Sequence, residues 1–300
     1  MSEFQKGIFA LIACCTIWGF APILYKVLSH VPPLEMLSHR ILWAFLFFGI
    51  VLAVQGRLFS LRQVFSGARA VWMILIAAVM IAVNWGLFIY SIQFGHAVEA
   101  SLGYFVFPLV AVAFGATIFG EKIYRPQAVA VGLATLGVVA LTIGLGVAPW
   151  IALILAGTFG LYGLVKKQIA AGPVLTVTTE SLLLLPFALI WLWGVHFQNW
   201  EGLTGTTGAI FGESWRDTLL LLAAGPVTAV PLVLFSYGAK RVPLSTVGVV
   251  MYLNPTLQFL VAVLVFSEAF TGIHAISFGL IWIALSLYSI DSIRRERLRS

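Results

Sequence analysis

The sequence predicts an all-α integral membrane protein of ten transmembrane helices, arranged as two five-helix repeats of inverted topology. Three observations carry this expectation. The 300 residues are 61% hydrophobic and only 9% charged, with a mean hydropathy of +1.04. A chain of that composition can keep most of its surface only against lipid. Its apolar runs are long enough to cross about 30 Å of hydrocarbon. Its two halves also align with one another at a constant offset.

The first run covers 7–28. Lys6 ahead of it gives the look of a leader, and Leu11-Ile12-Ala13-Cys14 resembles a lipoprotein cleavage box. The apolar stretch continues past the cysteine to Tyr25, however, which is long enough to span. It reads as the first helix. Further spans are expected over 34–54, 71–92, 98–119 and 126–145. The second five cover 149–168, 174–196, 216–238, 244–266 and 273–291. Prolines and glycines inside these runs are tolerated as they are in membrane helices. Only 197–215 makes a longer connection. The two cysteines, Cys14 and Cys15, are adjacent, which provides neither a disulfide framework nor a cysteine metal site. No cofactor is expected.

Lysine and arginine placement sets the expected orientation. With the N-terminus in the cytoplasm, the cytoplasmic segments hold Lys6, Arg57, Arg62, Arg69, Lys122, Arg125, Lys166, Lys167, Lys240, Arg241, Arg294, Arg295, Arg297 and Arg299. That is 14 of the 17 basic residues. Only Lys26, Arg40 and Arg216 fall elsewhere. Both termini are therefore expected in the cytoplasm of a chain set in the plasma (inner) membrane. The net charge of +6 lies in short clusters between apolar runs. That pattern suits membrane topology and points away from nucleic acid.

The internal repeat appears when Pro108 is set on Pro255, an offset of 147 residues. The same offset sets Glu121 on Glu268, Gly132 on Gly279, Tyr90 on Tyr237, Phe88 on Phe235, Phe119 on Phe266 and Ala128 on Ala275. Each half holds an odd number of spans, so the second enters the membrane from the opposite side. Two repeats follow, 1–145 and 149–291, with 292–300 as a basic cytoplasmic tail. Inverted repeats of this kind are the architecture of many secondary transporters, with the substrate near mid-membrane between them. Pro108 and Pro255 read as bend points. Ala128-x-x-x-Gly132 and Ala275-x-x-x-Gly279 read as small-residue pairs that let helices approach.

Trp18-Gly19-Phe20-Ala21-Pro22, His39-Arg40 with Trp43, Asn84-Trp85-Gly86-Leu87-Phe88 and the block from Glu99 through Tyr104-Phe105 to Pro108-Leu109 resemble the drug/metabolite transporter superfamily. Tyr162-Gly163-Leu164, Leu244-Ser245-Thr246 and Tyr252 with Pro255-Thr256-Leu257 extend the resemblance over nearly the whole chain. Within the superfamily the chain resembles EamA-type exporters. It is nearest in look to RarD-like permeases and more loosely similar to the aromatic amino acid exporter YddG. The resemblance implies ten helices, an internal duplication and efflux of small organic molecules, with amino acids, drugs and other metabolites all inside its range.

Charge inside a membrane is costly and usually faces the bundle interior. Glu35, His39 and Arg40 lie early in the second span, with Glu35 and His39 one turn apart. They read either as a gate, with a cation to meet a substrate carboxylate, or as a structural ion-pair cluster. Lys26 near the outer end of the first span reads as snorkelling. Glu99 is placed to cap the fourth span or to act within the transport path, and Glu180 and Asn84 are candidate pore residues. Trp18, Trp85, Tyr104 and Tyr252 fall too deep for an interfacial belt. Together with Asn84, Tyr162 and Asn254 they form the expected substrate-binding set, lining a cavity with aromatic faces and a few amides and hydroxyls. No His-Glu-x-x-His, Gly-x-Ser-x-Gly or phosphate-binding Gly-x-x-x-x-Gly-Lys occurs. A transporter is therefore expected ahead of a channel or an intramembrane enzyme acting on a lipid-soluble substrate. The expected partners are a small-molecule substrate and the bilayer.

Overall fold

The computed structural model describes residues 1–64, 67–119, 124–145, 149–169, 171–202, 205, 208–242, 247 and 250–297. Ten helices of eight residues or more make up the fold among the described residues. The first five are α1 (Glu3–Val27), α2 (Pro33–Val54), α3 (Ala68–Gln93), α4 (Ala97–Phe119) and α5 (Arg125–Leu145). The second five are α6 (Trp150–Lys167), α7 (Pro173–Gln198), α8 (Trp215–Ala239), α9 (Leu253–Leu260) and α10 (Gly272–Arg297). Seven are long and apolar enough to cross a membrane, and the described parts of α4, α6 and α9 are shorter apolar stretches.

Local chemistry explains the helix ends. Ser2 and Gln5 form a reciprocal capping box at the start of α1, with Gln5 N–H donating to Ser2 Oγ at 3.2 Å and Ser2 N–H to Gln5 Oε1 at 2.9 Å. Ser214 caps α8 by accepting from Asp217 N–H at 3.0 Å. Pro33 and Pro173 open α2 and α7 in the first turn, where the missing N–H is harmless. Asn199, in the left-handed region at φ 51°, ends α7.

The end where α1 begins is here called the near end, and the opposite one the far end. Glu3 pairs with Arg241 across the near end at 2.9 Å. His30 meets Asp217 at the far end at 3.1 Å. Gln93 Nε2 donates to the carbonyls of Leu28 and Val31 there, each at 3.1 Å. Helices of the first five pack on helices of the second five: α1 on α8 and α9, α2 on α7 and α8, α3 on α6 and α7, α4 on α6 and α9, and α5 on α10. The largest core cluster joins Tyr25, Phe88, Phe105 and Phe278 from α1, α3, α4 and α10. Ile50, Ile143, Phe187, Leu264 and Ile290 stand well exposed, as a surface facing lipid requires.

Two expectations need correction, and one extends. Gly132 and Gly279 meet nothing within 4 Å where a Cβ would stand. The close approach of α5 to α10 falls instead at Gly137, against the Ser277 carbonyl at 3.0 Å, and at Gly144, against Ile273. A sequence pair of small residues does not say which helix face is buried. Lys166, counted above among connecting charges, lies within α6 and is only 19% exposed, drawn in by an acid on α7. The basic tail is helical as far as Arg297, continuing α10. The backbone of α4 is helical through position 108, and α9 carries Pro255 ahead of a π-helical turn at Val261–Val265. Glu121 and 244–246 lie outside the described residues.

Candidate functional site

An aromatic ladder crosses the bundle between two charged groups. Arg40, on α2, is 6% exposed, and its guanidinium carbon stands 4.2 Å from the Trp85 ring centroid and 5.7 Å from that of Tyr25. Cation–π contact of a desolvated guanidinium is worth about 2 kcal/mol. From Tyr25 the ladder runs edge-on to Phe88 at 6.0 Å, then to Tyr104 at 5.4 Å and Phe159 at 5.6 Å. Phe159 stacks on Tyr162 at 5.9 Å. Tyr162 O–H donates to Glu180 Oε2 at 3.0 Å, and Lys166 Nζ donates to Glu180 Oε1 at 2.7 Å. Lys166 also donates to Thr176 Oγ1. The ladder thus draws side chains from α1, α2, α3, α4, α6 and α7.

Asn84 ties the ladder to α6. Its amide donates to the Leu155 carbonyl and to Thr158 Oγ1, both at 3.0 Å, and its Oδ1 accepts from Tyr104 O–H at 2.8 Å. A fully buried amide so placed has its polar atoms used, as burial demands. Six predicted residues (Arg40, Trp85, Asn84, Tyr104, Tyr162 and Glu180) therefore fall on one connected structure. Trp18 and Asn254 belong to a second group around Gln258, whose Nε2 donates to Asn254 Oδ1 at 3.1 Å and reaches the Trp18 carbonyl at 3.5 Å. Tyr252, like Tyr104, packs against the core cluster that contains Tyr25.

The gating set comes apart. Both oxygens of Glu35 are held by backbone, accepting from Ala209 N–H and Ile210 N–H at 3.0 Å each. His39 Nε2 lies 3.9 Å from Glu35, while its ring is sandwiched between Phe211 at 4.8 Å and Trp43 at 6.5 Å. Neither ring nitrogen has a hydrogen-bond partner among the described residues. Arg40 turns away from this pair toward Trp85. Glu99 caps α6 and not its own helix, accepting from Ile151 N–H at 3.0 Å. Glu268 does the equivalent for α4, its two oxygens accepting from Ala97 N–H and Val98 N–H at 2.8 Å. Three carboxylates thus fasten the far end to backbone N–H groups. Lys26 lies with its ammonium 5.7 Å from the Phe266 ring centroid.

Sequence reasoning missed Phe88, Phe159 and Gln258, and took Lys166 for a connecting charge. Gln258 had a signal, as an amide one turn after Asn254 in an otherwise apolar run. Phe159 had only its i,i+3 spacing to Tyr162, which ordinary helix packing also produces. A separate cleft of about 340 Å³, lined by Pro33, Leu34, Val83, Leu87, Tyr90 and Trp150 among others, contains none of the predicted residues. Its lining is apolar and includes exposed Val83 and Trp150 together with Gly202 of the long connection.

Residues 5–143 match the EamA-like transporter family. An uncharacterised transporter of Vibrio cholerae serotype O1 is 39% identical over 290 residues, covering 97% of this chain and 94% of its own. The protein RarD of Streptomyces exfoliatus is 38% identical over 297 residues, covering 99% of this chain and 92% of its own. A solved crystal structure at 17% identity shares the fold, with a TM-score of 0.62 over 94% of this chain and 96% of that one. A multi-pass helical chain with near-full-length relatives of this kind belongs to the EamA-like transporter family, in the drug/metabolite transporter superfamily, as a RarD-like permease.

Proposed function

We propose that this chain is a secondary exporter of small organic molecules, amino acids (aromatic ones included) or related metabolites and drugs, working by alternating access between two inverted five-helix repeats. The observation that carries the reading is the ladder from Arg40 to Glu180, which sets half-buried aromatic faces beside the Arg40 guanidinium among helices of both halves. Such a lining suits an amphipathic solute with an apolar body and a polar head.

The packing order supports the inverted repeat. Advancing each helix of the first half by five turns the α1–α8 contact into α6–α3, α1–α9 into α6–α4, and α2–α8 into α7–α3. The pairs α2–α7, α4–α9 and α5–α10 map onto themselves, as a two-fold axis requires. In this reading all ten helices cross the inner membrane, both termini and the near end are cytoplasmic, and the far end faces outward. Residues 1–145 and 149–291 are then the two moving units, meeting at the ladder.

The test is transport by purified protein in liposomes, with a panel of amino acids and apolar drugs, with and without a proton gradient. Saturable, protein-dependent movement of at least one solute is expected. A panel on which no member moves faster than through empty liposomes would remove the reading.

A further inference from the structure

We infer that the cargo carries a carboxylate and that Arg40 is its anchor, the guanidinium receiving it between the faces of Trp85 and Tyr25. The inference rests on the exporter reading and names the substrate class of the same site.

The first argument is charge. A cation buried in a membrane span needs a counter-charge, and Arg40 has no carboxylate within ion-pair distance among the described residues. The acids at the far end are committed elsewhere. Glu35, Glu99 and Glu268 hold backbone N–H groups, and Asp217 pairs with His30. Glu201 and Glu213 are exposed on the long connection. Arg40 Nε is buried with no hydrogen-bond partner among the described residues. The rings of Trp85 and Tyr25 offer their faces to the cation but no acceptor for its N–H groups. A planar guanidinium with a free edge is the group that binds a carboxylate through two parallel hydrogen bonds.

The second argument comes from the other half of the chain. Pro33 and Pro173 each open a helix, and Arg40 and Glu180 each follow seven residues later, an offset of 140 residues for both pairs, seven short of the 147 that relates the later spans. Lys26 and Lys166, near the ends of the preceding helices, stand at the same offset. Since α2 runs from the far end and α7 from the near end, Arg40 and Glu180 lie at matching depths, about 10 Å along the helix from opposite ends. In the second half Lys166 neutralises Glu180 within the protein, and Tyr162 O–H donates to its other oxygen. In the first half the matching position holds a second cation, and among the described residues Lys26 has only the Phe266 ring. One repeat closes its own ion pair; the other leaves its positive charge for something else. A substrate carboxylate fits that gap, with its apolar part along the ladder toward Phe88 and Tyr104.

The experiment uses the full chain in detergent and in liposomes. Binding of phenylalanine and 3-phenylpropionate is compared with that of phenylalaninamide, which keeps the ring and loses the carboxylate. Intrinsic tryptophan fluorescence reports occupancy beside Trp85. Wild-type protein is expected to bind both carboxylates at least tenfold more tightly than the amide. Arg40→Gln should lose that preference, and Arg40→Lys should retain part of it, since the charge stays and the fork goes. Equal affinity for acid and amide in the wild type overturns the inference without any variant, so a misfolded Arg40→Gln cannot shelter it. Carboxylate preference unchanged in a folded Arg40→Gln overturns it too. Arg40-dependent binding with no transport supports the anchor while removing the exporter reading. Transport indifferent to Arg40→Gln does the reverse.

Discussion

Tyr104 and Asn84 show how little slack a buried polar pair has. The half-buried Tyr104 is the donor that satisfies Oδ1 of the buried Asn84, at 2.8 Å. Tyr104→Phe keeps the ring and strands that acceptor, which costs about 1–3 kcal/mol. Thermal unfolding in detergent should show a lower Tm, and an unchanged Tm would mean the bond adds nothing. Truncation asks a different question. Trp85→Ala or Tyr104→Ala should reduce transport per molecule of folded protein in the membrane, because each removes a face of the ladder, and Tyr104→Ala should also lower Tm at least as far as Tyr104→Phe does; unchanged transport in both would place the solute elsewhere. Lys166 carries a larger structural burden. Lys166→Met leaves Glu180 buried without its cation, and breaking a buried pair costs roughly 3–5 kcal/mol. The double change Lys166→Met with Glu180→Gln should recover most of the loss in Tm. Failure to recover would show that the pair is not the cause.

At the scale of elements, the α5–α10 contact turns on which glycines face the partner. Gly137 lies 3.0 Å from the Ser277 carbonyl where its Cβ would be, so Gly137→Leu must push the helices apart. Gly132 faces open space. Gly132→Ala should be neutral or mildly stabilising, because alanine is favoured over glycine within a helix by about 1 kcal/mol. Melting both variants beside the parent separates the two positions, and an equal loss of Tm would contradict the packing described. Sequence spacing alone selected the pair Ala128 and Gly132, because the interval of four is the same on every face of a helix. The choice of face comes from α10, whose Ser277, Ile273 and Ile281 meet Gly137 and Gly144.

For the whole molecule, charge placement and far-end fastening make one directional prediction. Glu201, exposed on the far-end connection, and Arg69, exposed at the near-end start of α3, mark opposite faces. Glu201→Cys, on a background in which Cys14 and Cys15 are replaced, should react with an impermeant thiol reagent added outside intact cells. Arg69→Cys should react only after the membrane is opened. The converse pattern would invert the orientation.

Hydropathy and the length of the apolar runs were enough to determine that the chain is helical and crosses a membrane many times, because burial against lipid writes itself into nearly every residue of a span. Motif chemistry proposed Trp18, Asn84, Trp85, Tyr104, Tyr162, Tyr252 and Asn254 as one set, and the packing joins Asn84, Trp85, Tyr104 and Tyr162 while Trp18 and Asn254 gather around Gln258. Tertiary structure decided the rest. Glu35, His39 and Arg40 are adjacent in sequence, yet Glu35 is drawn to the amides of Ala209 and Ile210 while Arg40 turns to Trp85. Glu99 reaches a helix begun 51 residues later, and Lys166 finds its acid on the next helix. A charge within a span is satisfied by whichever group the packing of other helices brings within about 3 Å, and no periodicity along one helix records that distance.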